Sequence, residues 1–207
     1  MKYNHIIFDI DGTMLDSAYA DLTALQKVLL ELKHENYPIE DLHFALGIPG
    51  EVALRQLKVE DVSVANRLWN KYMTKLAHTM KLFDGIKELL MELQSRGVRL
   101  GIITSKNRKE LQNDFVPFGI HVFFDTIITV EDSSAPKPSP EPMLAYLNKA
   151  EVKSCEVLYI GDTLYDRDCA VNAGVDFGLA MWGCNSVEQI DATYYFKTPN
   201  EILQVNF

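Results

Sequence analysis

The sequence predicts an α/β fold, a mainly parallel sheet carrying an inserted all-helical segment. Two observations predict it. Short, near-continuous apolar runs alternate with longer stretches of helical periodicity, the pattern of βαβ units whose strands are buried on both faces. The interval between the first and second runs, residues 14–81, shows helical patterns and no strand, and it is too long for a simple crossover.

The first strand is expected within residues 3–10, where Ile6-Ile7-Phe8 runs into Asp9-Ile10-Asp11-Gly12. Helical spacing follows at 21–33, where Leu22, Leu25, Val28, Leu29 and Leu32 recur on one face. Three further helices are expected at 41–46, 51–57 and 62–80, broken near Gly47, Pro49 and Gly50. Residues 83–96 read as a helix with Ile86, Leu89, Leu90 and Leu93 forming its apolar stripe and Gly97 ending it. Strands are expected at 98–104, 126–130, 157–160 and 175–182, and crossover helices at 142–150 and 164–173, the latter closed by Gly174. The division that follows is a discontinuous α/β core, 1–13 and 82–207, with a helical cap at 14–81.

Composition bounds the function. The 207 residues are 47% hydrophobic and 24% charged, enough for a sizeable core and unlike a disordered chain. Twenty Lys and Arg against twenty-nine Asp and Glu leave a net charge of −9, which opposes nucleic-acid and anionic-membrane surfaces. No run approaches the roughly 18 apolar residues of a spanning helix. Cys155, Cys169 and Cys184 form no C-x-x-C pair and read as small buried hydrophobes in a reducing compartment. The expectation is a cytoplasmic protein, a monomer or weak dimer, with no nucleic-acid or membrane partner.

Four segments at or just after strand ends carry polar side chains. Asp9 and Asp11 alternate onto the same side of the chain, where two carboxylates persist if a cation neutralises them or one holds a proton. Gly12 lets the backbone turn there and approach a ligand closely. An ordinary turn with solvated acids would use the same residues, whereas a calcium loop would not, since the glycine and the later acid stand at other offsets. Thr104-Ser105-Lys106-Asn107 offers hydroxyls and free N–H groups at a helix start, which suits a phosphate oxygen or merely a cap. Lys137 lies among prolines at every second position, a stiff linker or a rigid mount for one ammonium. Asp162 and Asp166 bracket the turn after the 157–160 strand, where each alone would pass as a helix cap. In open α/β sheets strand carboxyl ends border the ligand crevice, so the four segments fall at one edge. Together they are an inventory for metal-assisted phosphoryl transfer.

In these motifs the chain resembles the haloacid dehalogenase (HAD) superfamily of phosphatases, within the subgroup of phosphoglycolate phosphatase, the pyrophosphatase PpaX and β-phosphoglucomutase. Asp9-Ile10-Asp11-Gly12-Thr13-Met14-Leu15-Asp16-Ser17, Thr104-Ser105-Lys106, Lys137-Pro138-Ser139-Pro140-Glu141-Pro142 and Gly161-Asp162-Thr163 through Asp166 stand in the family's order, with a cap between the first two. The resemblance implies a Rossmann-like core and an enzyme that hydrolyses a small phosphorylated metabolite with Mg2+. It implies Asp9 as nucleophile and Asp11 as acid and base. Gly12, Thr104, Ser105 and Lys137 would hold the phosphate. The metal would be held by Asp9, Asp11 through its backbone carbonyl, and Asp162, with Asp166 binding directly or from behind.

The cap would choose the leaving group. In the β-phosphoglucomutase type an arginine closely follows the cap-loop glycine; here the nearest is Arg55, one helical turn on from Glu51, which weakens the sugar phosphomutase alternative, and a solvated helix face explains Arg55 better. A non-catalytic phosphate-binding regulator is the contrasting class, opposed by the complete set of acids, hydroxyl and lysine. His43, His78 and His121 read as structural or surface residues, and Trp69 and Trp182 as core or domain-interface aromatics. Arg167, after Asp166, is expected to pair with a neighbouring acid.

Overall fold

A computed structural model describes residues 2–185 and 187–207. The chain runs through β1 (His5–Phe8), β2 (Leu15–Asp16), α1 (Ala18–Lys33), α2 (Gly50–Gln56), α3 (Val62–Leu76), β3 (Lys81–Leu82) and α4 (Ile86–Ser95). It continues through β4 (Arg99–Ile103), α5 (Arg108–Glu110), β5 (Thr126–Ile128), α6 (Glu141–Ala150), β6 (Val157–Gly161), α7 (Leu164–Asn172), β7 (Asp176–Ala180) and β8 (Tyr194–Phe196).

Six of the strands form one sheet in the order β5-β4-β1-β6-β7-β8, every pairing parallel. β1 is wholly buried, with His5 opposite Arg99 on one side and Val157 on the other. Its alternation divides the interior. Ile6 and Phe8 join Leu100, Ile102, Leu158 and Ile160 beneath α4, whereas Ile7 joins Ile103, Tyr159 and Phe177 beneath α6 and α7. A sheet covered on both faces needs strands apolar on both, which is why the runs read as continuous. Gly97 and Gly174, at φ +78° and +72°, follow α4 and α7 as the sequence suggests.

From α1 to α3 the chain is helical, with α1 packed on α3. The 41–46 segment is a 3-10 turn at Ile39–Ala45 rather than an α-helix, and the expected 62–80 helix stops at Leu76 before a second such turn at Ala77–Thr79. The reading of 14–81 as strand-free needs a correction. Leu15–Asp16 pairs antiparallel with Lys81–Leu82, so both ends of the helical stretch are joined. Two-residue strands are too short to show a period. β8 was likewise not foreseen from the sequence, being three residues long.

The cysteines also depart from expectation. Cys169 is buried, but Cys184 is half-buried and Cys155 exposed in the turn at Ser154–Glu156 that leads into β6. No helix among the described residues is long and apolar enough to cross a membrane.

Candidate active site

β1 lies between β4 and β6, and the chain proceeds from β1 outward in one direction and later in the other. That switch point opens a crevice beyond the strand carboxyl ends. Asp9 follows β1, Thr104 follows β4, and Asp162 follows β6.

Three acids meet there. Asp9, Asp162 and Asp166, all buried, each offer a carboxylate oxygen within 4.8 Å of the others. Lys137 enters from the turn before α6, its ammonium 2.9 Å from Asp9 Oδ1 and 2.6 Å from Asp166 Oδ1. The side chain of Lys137 is 1% exposed. Burial opposes its charge, but Asp166 and Asp9 outweigh that and hold it protonated, above the ordinary lysine value. One ammonium against three carboxylates leaves the cluster short of positive charge. Burial, with Asp166 and Asp9 adding to it, pushes the Asp162 carboxyl well above the usual carboxylate range, against the pull of Thr13 and Lys137. Burial also raises Asp9, with Lys137 opposing. Hard oxygen donors with surplus negative charge fit a divalent cation such as Mg2+.

The elements fix these side chains through local bonds. The Thr13 hydroxyl donates to Asp162 Oδ1 at 3.0 Å. Asp166 accepts from the Thr163 N–H and hydroxyl through Oδ2, and through Oδ1 from Tyr159, 2.8 Å away, and Lys137. Both of its oxygens are thus occupied, and it is fully buried, so it braces Lys137 and the start of α7. Gly12, at φ +79°, lies so close to Asp162 that a Cβ there would stand 2.1 Å from Oδ2.

Beside this cluster lies a second one. The Ser17 hydroxyl donates to Asp11 Oδ1 at 2.6 Å, and Lys106 reaches Asp11 Oδ2 at 3.1 Å and Asp114 Oδ2 at 3.4 Å. Burial works against the Lys106 charge, but Asp11 and Asp114 prevail and keep it above its ordinary value. Asp21 of α1 accepts the Trp69 indole N–H at 3.1 Å, and burial pushes its carboxyl up to about 7, with Lys106 opposing.

A cavity of about 320 Å³ joins the two, lined by Asp9, Asp11, Gly12, Ser105, Lys137 and Asp162 among others. Asp166 and Thr104 do not line it. The Thr104 hydroxyl accepts from the Lys106 N–H at 3.1 Å and is buried. Ser105 lines the cavity but its hydroxyl donates to the Gly47 carbonyl at 3.0 Å, fastening the loop of the helical segment. Arg55 is exposed, lies 3.9 Å from Glu51, and does not line the cavity. Arg167 pairs with Asp168.

Sequence reasoning does not single out Asp21, Asp114 or Tyr159, and it reaches Lys106 only as part of its motif. Trp69 and Trp182 proved to line the cavity, and the Trp182 indole donates to the Thr13 carbonyl at 2.8 Å. Lys106 could have been found, since it follows two candidate hydroxyl residues; the others carry no local signal.

The profile of the haloacid dehalogenase-like hydrolases matches residues 6–180. The chain is similar to the pyrophosphatase PpaX of Halalkalibacterium halodurans, at 28% identity over 99% of this chain and 97% of that one. It is similar in structure to a Lactobacillus plantarum protein described provisionally as a phosphoglycolate phosphatase, with a TM-score of 0.90, 29% identity and 99% of each chain covered. A haloacid dehalogenase-like family hydrolase from Streptococcus pneumoniae superposes with a TM-score of 0.85, at 26% identity over 98% of each chain. The chain belongs to the haloacid dehalogenase-like hydrolase family.

Proposed function

We propose that this hydrolase cleaves a small phosphate monoester, with Asp9 as nucleophile and Mg2+ as its metal. The observation that carries the reading is Asp9 itself, a buried carboxylate bonded to a protonated lysine, grouped with two further acids, and open to a cavity.

An oxygen of Asp9 attacks phosphorus, giving an aspartyl-phosphate, while Asp11 gives its proton to the departing alcohol oxygen. Asp11 then takes a proton from the water that attacks the phosphoryl group, releasing phosphate and restoring Asp9. Ser17 and Lys106 aim the Asp11 carboxyl for both tasks. Lys137 offsets charge on the phosphoryl oxygens, assisted by the Ser105 backbone N–H, whereas the Gly12 N–H is given to the Leu15 carbonyl at 2.9 Å. Asp9, the Asp11 carbonyl and Asp162 would hold Mg2+, with Asp166 bracing the set from behind. When bound, the ion neutralises carboxylate repulsion and phosphoryl charge. Residues 1–13 and 82–207 serve as the catalytic core and 14–81 as a cap that shuts out water, a division supported by the β2–β3 pairing.

The test is phosphate release from p-nitrophenyl phosphate with Mg2+. Asp9→Asn is expected to lower kcat at least about a thousandfold, with circular dichroism unchanged and no acid-stable protein-bound phosphate after quenching. Full activity in that variant refutes the assignment.

A further inference from the structure

The cavity is lined from the sheet by Asp9, Gly12, Lys137 and Asp162, and from the helical segment by Asp21, Asn66, Trp69 and Asn70. Asn66, Trp69 and Asn70, with Met73, stand at helical spacing on one face of α3, so the amides and the indole are presented together. This is the compartment left for the alcohol of a phosphate ester once its phosphoryl group lies at Asp9.

Its polar groups are unevenly distributed. Beyond the acids assigned to chemistry, Asp16, Asp21, Glu110 and Asp114 also line it. The cations lining it, among the described residues, are Lys106 and Lys137. Lys137, beside Asp9 and Asp166, is given to the phosphoryl group, and Lys106 is held between Asp11 and Asp114. No arginine lines it among the described residues. The Trp69 indole N–H is already given to Asp21 Oδ1. A leaving group bearing a carboxylate or a second phosphoryl would thus enter among carboxylates with no uncommitted cation to receive it, an arrangement that rejects it electrostatically. A leaving group bearing O–H or N–H donors would meet acceptors: the Asp21 carboxyl and the side-chain amide oxygens of Asn66 and Asn70.

Resting on the phosphatase reading above, we propose that the substrate is the phosphate monoester of an alcohol that carries hydrogen-bond donors and no negative charge, and that Asp21 is the residue that selects it. The donor is a hydroxyl, as in a polyol, or an ammonium, as in an amino alcohol. In either case the chain parts from the anionic leaving groups of pyrophosphate and phosphoglycolate, the substrates in the names of its relatives.

The experiment measures kcat/KM of the full chain with Mg2+ for glycerol phosphate, phosphoethanolamine, phosphoglycolate and pyrophosphate, with p-nitrophenyl phosphate as reference. One of the two donor-bearing esters is expected to exceed both anionic substrates by about tenfold or more, the range of one hydrogen bond to a charged group. Which of the two leads tells hydroxyl from ammonium. Asp21→Asn is expected to lower the ratio of donor-bearing to anionic kcat/KM by about tenfold, chiefly through KM. Parity with, or preference for, phosphoglycolate or pyrophosphate in the wild-type chain overturns the proposal and leaves the phosphatase reading standing, as does an unchanged ratio in Asp21→Asn. No release from any of the esters, p-nitrophenyl phosphate included, removes the phosphatase reading itself.

Discussion

Asp21 faces Lys106, Asp11 and Glu110 and holds the Trp69 indole, and burial raises its carboxyl from the ordinary 3.8 to about 7. Between those values the folded chain keeps a proton that the unfolded chain gives up. The contribution therefore favours folding below about pH 4, is lost as pH rises to about 7, and is flat above that. Lys106 and the indole N–H work against the shift, while Asp11 and Glu110 reinforce it. Asp21→Asn removes this dependence. In urea titrations its stability relative to the wild type is expected to rise by about 1–3 kcal/mol between pH 4.5 and 7.5. Of the residues legible in the sequence, Asp9, Gly12 and Asp162 sit in short motifs at strand ends, where position marks them, and Lys137 stands out among the prolines before α6. Asp21 does not, because an acid in the first turn of a helix is ordinary dipole complementation. Its partner Trp69 is 48 residues away and looks like any core aromatic.

Among the elements, β4 and α6 meet through a small residue. Gly101 lies beneath the Tyr146 ring, and a Cβ there would fall 2.1 Å from Tyr146 Cε2. Gly101→Ala has to displace a fully buried ring or bend a central strand. It is expected to cost about 1–3 kcal/mol, read as a lower urea midpoint with unchanged slope. The strands and crossover helices were legible because burial on both faces imposes unbroken apolar runs, and glycine closes α4 and α7. What was not legible depends on contacts distant in sequence. β2 and β3 exist only because they find each other across the helical stretch. After α5 the chain widens into a π-helical turn, Leu111–Phe115, which breaks the 3.6-residue period and buries Asp114 toward Lys106.

For the molecule as a whole, a divalent ion held by the proposed ligands beside the Asp9, Asp162 and Asp166 cluster would link folding to that ion. Mg2+ added to chelator-treated protein is expected to raise Tm with the logarithm of its concentration, by roughly 5–10 °C near one hundred times Kd. Asp162→Asn should abolish most of that rise, and a Tm indifferent to Mg2+ in the wild type would contradict the metal assignment. The β2–β3 pair has a different bearing. Since the polypeptide leaves the sheet and returns to it through two adjoining strands, the helical stretch is joined to it along the chain at a two-stranded stem, with the Ser105–Gly47 bond as a separate contact. Helices could be lengthened, shortened or exchanged beyond that stem without shifting the register of the parallel strands. Such an attachment would let selection retune what the cavity accepts while the acids and lysine at the sheet stay in place.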